Sequence, residues 1–251
     1  MAVGDQLQRR RFLVTWRDGA QPRGIHAVGL LSFDGEFAFR YLPSAAAAPG
    51  FRPLPGFPDL HRTYRAPSLF LFFAARVMDR RRPDYSEYVE ALDLPPAPLG
   101  LDILSRSEGV VKGDRVAVVE EPLVRCDGTT EHVFVVRGLR FATADPDERE
   151  RSLAGLVPGT ALGVHADKDN PVNGEALQLL TPDRQLVGWV PDALVSYVSS
   201  VLVHDGSVVV HRVNAPALPP HIRLLGRVEG RLPPGWPPLP QLAEHAVLST
   251  T

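Results

Sequence analysis

The 251-residue chain contains one cysteine, Cys126, two lysines and eight histidines. A single thiol excludes an intramolecular disulfide and any multi-cysteine zinc site. The histidines are scattered without close pairs, which leaves histidine-based zinc without support. No apolar run approaches the ~20 residues that a spanning helix needs. Arg9, Arg10 and Arg11 are followed only by "FLV", too short for a signal-peptide core. The simplest expectation is a soluble cytoplasmic protein with no membrane partner. Catalytic signatures are missing too: there is no G-x-S-x-G elbow, no P-loop, no G-x-G-x-x-G after a strand and no kinase catalytic loop. No enzymatic activity and no cofactor are expected. Lys112 and Lys168 stand against 25 arginines, a bias that a GC-rich genome explains more simply than phosphate-forking at every site.

Hydrophobic residues make up 44% of the chain, enough for a real core, and the formal net charge is −2. Such a balance gives no general attraction to a polyanion. Residues 1–125 carry 17 basic and 15 acidic side chains, against 10 and 14 in residues 126–251. Neither half shows the basic stripe of a non-specific nucleic-acid coat.

Alternating and helical patterns divide the chain. "RFLVTW" (11–16) reads as a strand, and 25–42 as two strands joined at Asp34-Gly35, with Phe37, Phe39 and Tyr41 on one face. Residues 43–60 are rich in proline, glycine and alanine and read as loop. A helix capped by Ser68 is expected to carry Leu69, Phe72, Phe73 and Val77, with a second after Pro83 and a short one at 101–107. A strand at 114–120 precedes a candidate boundary at 122–130. Beyond it the pattern predicts a strand at 131–141, a helix at 148–156, a strand at 160–166 and a hairpin over 175–191. A short helix at 192–202 and strands at 207–213 and 222–229 follow. The last stretch, "RLPPGWPPLPQL", is too proline-dense for helix or sheet.

One loop concentrates chemistry. In "HADKDNPVNGEALQLL" (165–180), Asp167, Asp169, Asn170, Asn173 and Glu175 fall within nine residues. A calcium loop would need an oxygen ligand where Pro171 stands and a final acid where Gln178 stands. No metal is expected. Turn-forming Asn-Pro and Asn-Gly steps explain part of the pattern.

Residues 133–202 resemble a HIRAN domain through "VVRGLRF" (135–141), "PGTALGVHADKDNPVNGEALQLL" (158–180) and "LVGWVPDALVSYVSSVL" (186–202). The resemblance implies a small modified β-barrel of the OB or SH3 kind that recognises an exposed single-stranded DNA 3′ end. On that basis Arg140 would fork onto a phosphate and Phe141 would stack on a base. Asp169 and Asn170 would shape or touch the DNA-binding rim, Asn173 would meet a terminal hydroxyl, and Trp189 would lie beside the strand. Val172 stands where the family has an aromatic, Asn173 where it has an acid, and Asp192 adds a negative charge near the mouth.

The N-terminal half is similar to the N-terminal subdomain of HipA-type kinases, in "AVGLLSFDGEFAFRYLPS" and "LFLFFAARVM". The kinase lobes have no counterpart, so this resemblance implies protein docking alone. Arg76, Arg80, Arg81 and Arg82 form the most basic local patch, read either as a solvated helix end or as a phosphate or partner contact.

The expected protein is α+β. A HipA-N-like docking domain (1–125), a β-hairpin/helix unit, precedes a HIRAN-like modified β-barrel (126–205). C-terminal strands and a proline-rich tail (206–251) pack on the second domain. The expected function is non-catalytic nucleic-acid binding at single-stranded DNA 3′ ends, in DNA repair or phage defence. The alternative is an adaptor that no longer binds DNA and docks a separately encoded helicase, nuclease or kinase.

Overall fold

The computed structural model describes residues 9–19, 24–233 and 235–243. The fold is α+β. Its strands are β1 (Arg10–Arg17), β2 (Ile25–Phe33), β3 (Phe37–Tyr41), β4 (Tyr64–Ala66), β5 (Val116–Glu120), β6 (Thr129–Val135), β7 (Ala161–Ala166), β8 (Leu177–Leu180), β9 (Leu186–Trp189), β10 (Ser207–Val213) and β11 (Leu224–Arg231). Its helices are α1 (Ser44–Ala47), α2 (Leu71–Ala74), α3 (Tyr85–Ala91), α4 (Gly100–Ser107), α5 (Leu139–Ala142), α6 (Pro146–Ala154), α7 (Val195–Val203) and α8 (Pro240–Ala243). Among the described residues no helix is long and apolar enough to cross a membrane.

The first sheet has the order β4-β3-β2-β1-β5 and is antiparallel throughout. The β2–β3 hairpin turns at Asp34-Gly35, but over three residues, because Phe33 pairs with Phe37. Gly35 sits at φ +75°, the left-handed position such loops require. Period-2 alternation buries both faces of this sheet. Phe12, Val14, Val28, Leu31, Phe39 and Val118 belong to one core. Leu13, Leu30 and Val119 point the other way and join the core of the second sheet.

The expected Ser68 helix is corrected here. Only Leu71–Ala74 is helical, and Phe70 occupies the N-cap. The rings of Phe70, Phe72 and Phe73 all pack on Phe57, at centroid distances of 5.1, 6.3 and 5.8 Å. Positions 70 and 72 point apart on a helix, at about 100° per residue, so one partner ring cannot hold all three in a longer helix. Aromatic burial outweighs local helix preference, and Arg76–Arg82 consequently lie in turns beyond α2 rather than at a helix end.

The second sheet runs β6-β11-β10-β7-β8-β9 and curls into a half-barrel. Its two edges meet just beyond β6. Arg137 and Trp189 form an isolated antiparallel bridge, in which each backbone N–H donates to the other's carbonyl at 2.9 and 2.8 Å. The strand expected over 131–141 stops at Val135, because Gly138 adopts φ +71° and starts the helical turn α5. Arg140 and Phe141 lie on that turn, not on a strand. The C-terminal strands β10 and β11 occupy the middle of the sheet, between β6 and β7. The proline-dense stretch contains one helical turn, α8, whose Leu242 is buried with Leu239 in the second core. Residues 244–251 of the expected tail lie outside the described residues.

Polar ties reinforce the shared core. Arg137 pairs with the buried Glu108 at 2.6 Å. Arg212 reaches Glu90 and Asp93, both at 3.2 Å, and His211 meets Asp93 at 2.7 Å.

Candidate functional site

The seam of the half-barrel gathers most of the residues that the sequence singles out. Gly138 lies flat under the Trp189 indole, where an added Cβ would stand 2.6 Å from the ring. That close approach and the Arg137–Trp189 bridge press α5 against the end of β9. Leu139 is buried beneath the turn, while Phe141 is 68% exposed. The Arg140 guanidinium sits 4.5 Å above the Phe141 ring and, among the described residues, pairs with no carboxylate. Its N–H edges are therefore open to an outside acceptor.

The acidic loop is organised by Asp167. One carboxylate oxygen accepts the Trp189 indole N–H at 2.8 Å and the Asn170 side-chain amide at 2.9 Å. Asn170 in turn accepts the backbone N–H groups of Val172 and Asn173, at 2.9 and 3.1 Å. Burial alone would raise the Asp167 carboxyl, but the hydrogen bonds from Asn170, Trp189 and Gln178 together hold it below the usual carboxylate range. Asn170 thus shapes the loop from inside. Asp169 is exposed in the same loop.

Asn173 belongs to a different surface. Its amide donates to Asp192 at 2.9 Å and its oxygen accepts the Glu175 N–H. Asp192 also receives Arg17 from β1 at 3.4 Å. The negative charge that the sequence placed at the pocket mouth is thereby engaged from the first sheet. Asn173, Glu175 and Asp192 line a cavity of about 240 Å³ with Leu13, Thr15 and Ala27.

Each arginine of the patch has a partner within the molecule, although the buried Nε of Arg76 has none among the described residues. Arg76 is 4% exposed, pairs with Asp114 and lies 4.3 Å from the Phe72 ring centroid. Arg80 donates to the Pro98 carbonyl at 2.6 Å, and Arg81 and Arg82 pair with Asp79 and Asp84.

Two residues of the seam were missed by sequence reasoning. Asp167 stood among the acids of the loop without a role at the seam, although an aspartate opening an Asx-rich turn is a recognisable organiser. His221, on the 3-10 turn Pro220–Ile222 that packs against α5, carried no signal within its proline-rich context. Burial, then Arg137 and Arg140, hold its imidazole below the usual range. No family model, curated protein or solved structure matches this chain.

Proposed function

We propose that the chain is a non-catalytic nucleic-acid-binding protein that reads the 3′ end of a single strand at the Trp189 seam, in the manner of a HIRAN domain. The Arg140–Phe141 pair carries this reading. A largely exposed ring beneath a guanidinium that pairs with no carboxylate among the described residues presents one π-face to a base and N–H groups to a phosphate. The turn that presents them is held by backbone and indole contacts, so little ordering is needed on binding. His221 adds a second nitrogen group beside Arg140. Asn170 supports the loop rather than reaching outward, and Asn173 is committed to Asp192.

The test is fluorescence anisotropy with short strands ending in a 3′-hydroxyl or a 3′-phosphate, across a salt series. The expected result is binding that requires the free hydroxyl, with a shallow salt slope. Arg140→Ala combined with Phe141→Ala is expected to weaken it at least tenfold, since one stacked base contributes about 1–3 kcal/mol. Unchanged binding by the double variant sinks the assignment. Absence of binding at low salt supports an adaptor that docks a helicase, nuclease or kinase.

A further inference from the structure

A second and larger cavity, of about 820 Å³, lies between the two sheets on the β5–β6 side. It falls within the usual ligand-pocket range of about 300–1,000 Å³. Its walls come from the β5–β6 link, the first residues of β1, the start of α4 and the segment after β11.

The charges in this wall are unevenly matched. Arg10 is held by Glu120 at 2.6 Å and Asp102 at 2.7 Å, and Arg11 by Glu121 at 3.0 Å. Arg9 and Arg125 also line the cavity, and among the described residues neither forms an ion pair with a carboxylate. Formal charge is balanced, since Glu120, Glu121 and Glu131 of the lining together with Asp102 match the four arginines in number, but two carboxylates converge on Arg10, so the N–H groups of Arg9 and Arg125 are the ones open to an anion. The apolar part of the lining is unusually exposed: Leu99 is 60%, Leu123 52% and Trp236 40% accessible.

His132 lines the same space from β6. Its side chain is half-buried. It stands edge-on to Tyr197 at 6.3 Å, and no hydrogen-bond partner occupies its ring nitrogens among the described residues. Burial, opposed by Glu120 and assisted by Arg106, lowers it to about 4, so at neutral pH it offers one donor and one acceptor without charge.

We infer that this cavity binds a small anionic molecule with a planar ring, of mononucleotide size. The ring packs against Trp236 and Leu123, the phosphate or carboxylate meets Arg125 and Arg9, and His132 hydrogen-bonds a polar edge of the ring. This site is separate from the Trp189 seam and does not depend on the reading given to it.

Calorimetric titration of the full chain distinguishes the two sources of such chemistry. The probes are adenosine monophosphate (ring and phosphate), 2-naphthoate (ring and carboxylate), adenosine (ring alone) and inorganic phosphate (anion alone). Submillimolar binding of at least one of the first two is expected, with adenosine and phosphate at least about tenfold weaker. Trp236→Ala and Arg125→Ala, both at accessible positions, are each expected to weaken binding about tenfold while the melting temperature is kept. The inference is overturned if neither ring-bearing anion binds at millimolar concentration, or if both variants bind like the parent. Displacement of a bound single strand by the same ligand would place it at the Trp189 seam and would also overturn the inference.

Discussion

The indole N–H of Trp189 donates to the Asp167 carboxylate over 2.8 Å, across 22 residues of sequence. This bond locks the acidic loop to the end of β9 and fixes the indole that Gly138 lies against. Asp167→Ala leaves the indole N–H and the Asn170 amide without their acceptor and is expected to cost about 1–3 kcal/mol. The carboxyl is held below its ordinary value, so its contribution is present above the unfolded carboxyl value of about 4 and is lost as pH falls through the lower folded value. Chemical denaturation at several pH values, followed through tryptophan emission, checks both statements. An acid limb of equal depth in parent and variant contradicts them.

Gly138→Ala is expected to be among the most damaging single substitutions in the second sheet. It combines φ +71° with a Cβ 2.6 Å from the indole, and neither can relax without moving Trp189. A loss of about 2 kcal/mol or more is expected, with a shift in tryptophan emission. A variant as stable as the parent would show that the turn tolerates another packing.

The arginines of the 76–82 patch are expected to separate by burial. Arg76→Ala strands Asp114 and empties the space over Phe72, at a cost of about 3 kcal/mol. Arg81→Ala and Arg82→Ala remove only exposed pairs with Asp79 and Asp84 and are expected to leave the melting temperature unchanged. Equal losses at all three positions would refute the distinction.

His132 is expected to set part of the acid stability. Its folded value of about 4 lies below the unfolded value of about 6.5. The fold therefore favours the neutral ring, and this contribution is complete above the unfolded value. It is lost as pH falls from about 6.5 to 4, by up to about 3 kcal/mol. His132→Gln cannot acquire charge, so its stability is expected to be flatter across that window. Parallel pH profiles for parent and variant would show that His132 does not titrate with unfolding.

Much of the first sheet was legible because its signals are local. Asp34-Gly35 announces a hairpin, and alternation along 37–41 places Phe39 and Tyr41 in the core. The same local logic overran in two places. The apolar run at 69–77 reads as a helix, yet three rings converging on Phe57 limit it to one turn. The alternation at 131–141 reads as one strand, yet Gly138 turns it into α5. At the seam, Arg140, Phe141, Asn170 and Trp189 were named from sequence. Asn173 was named with them but faces Asp192, and Asp167 and His221 acquired their places through contacts 22 or more residues away or through packing between separate segments.

By itself the sequence determined the strand and turn periodicity, the β-rich α+β class and the loop in which acids and amides concentrate. All of these follow from side-chain alternation and backbone preferences within a few residues. Only the tertiary structure decided that β10 and β11 fill the middle of the second sheet, that Leu13, Leu30 and Val119 unite the two halves in one core, and that Arg140 pairs with no carboxylate among the described residues while Arg76 is buried with one. Strand order and charge pairing depend on which distant segments compete for the same partner, and no local pattern encodes the outcome of that competition.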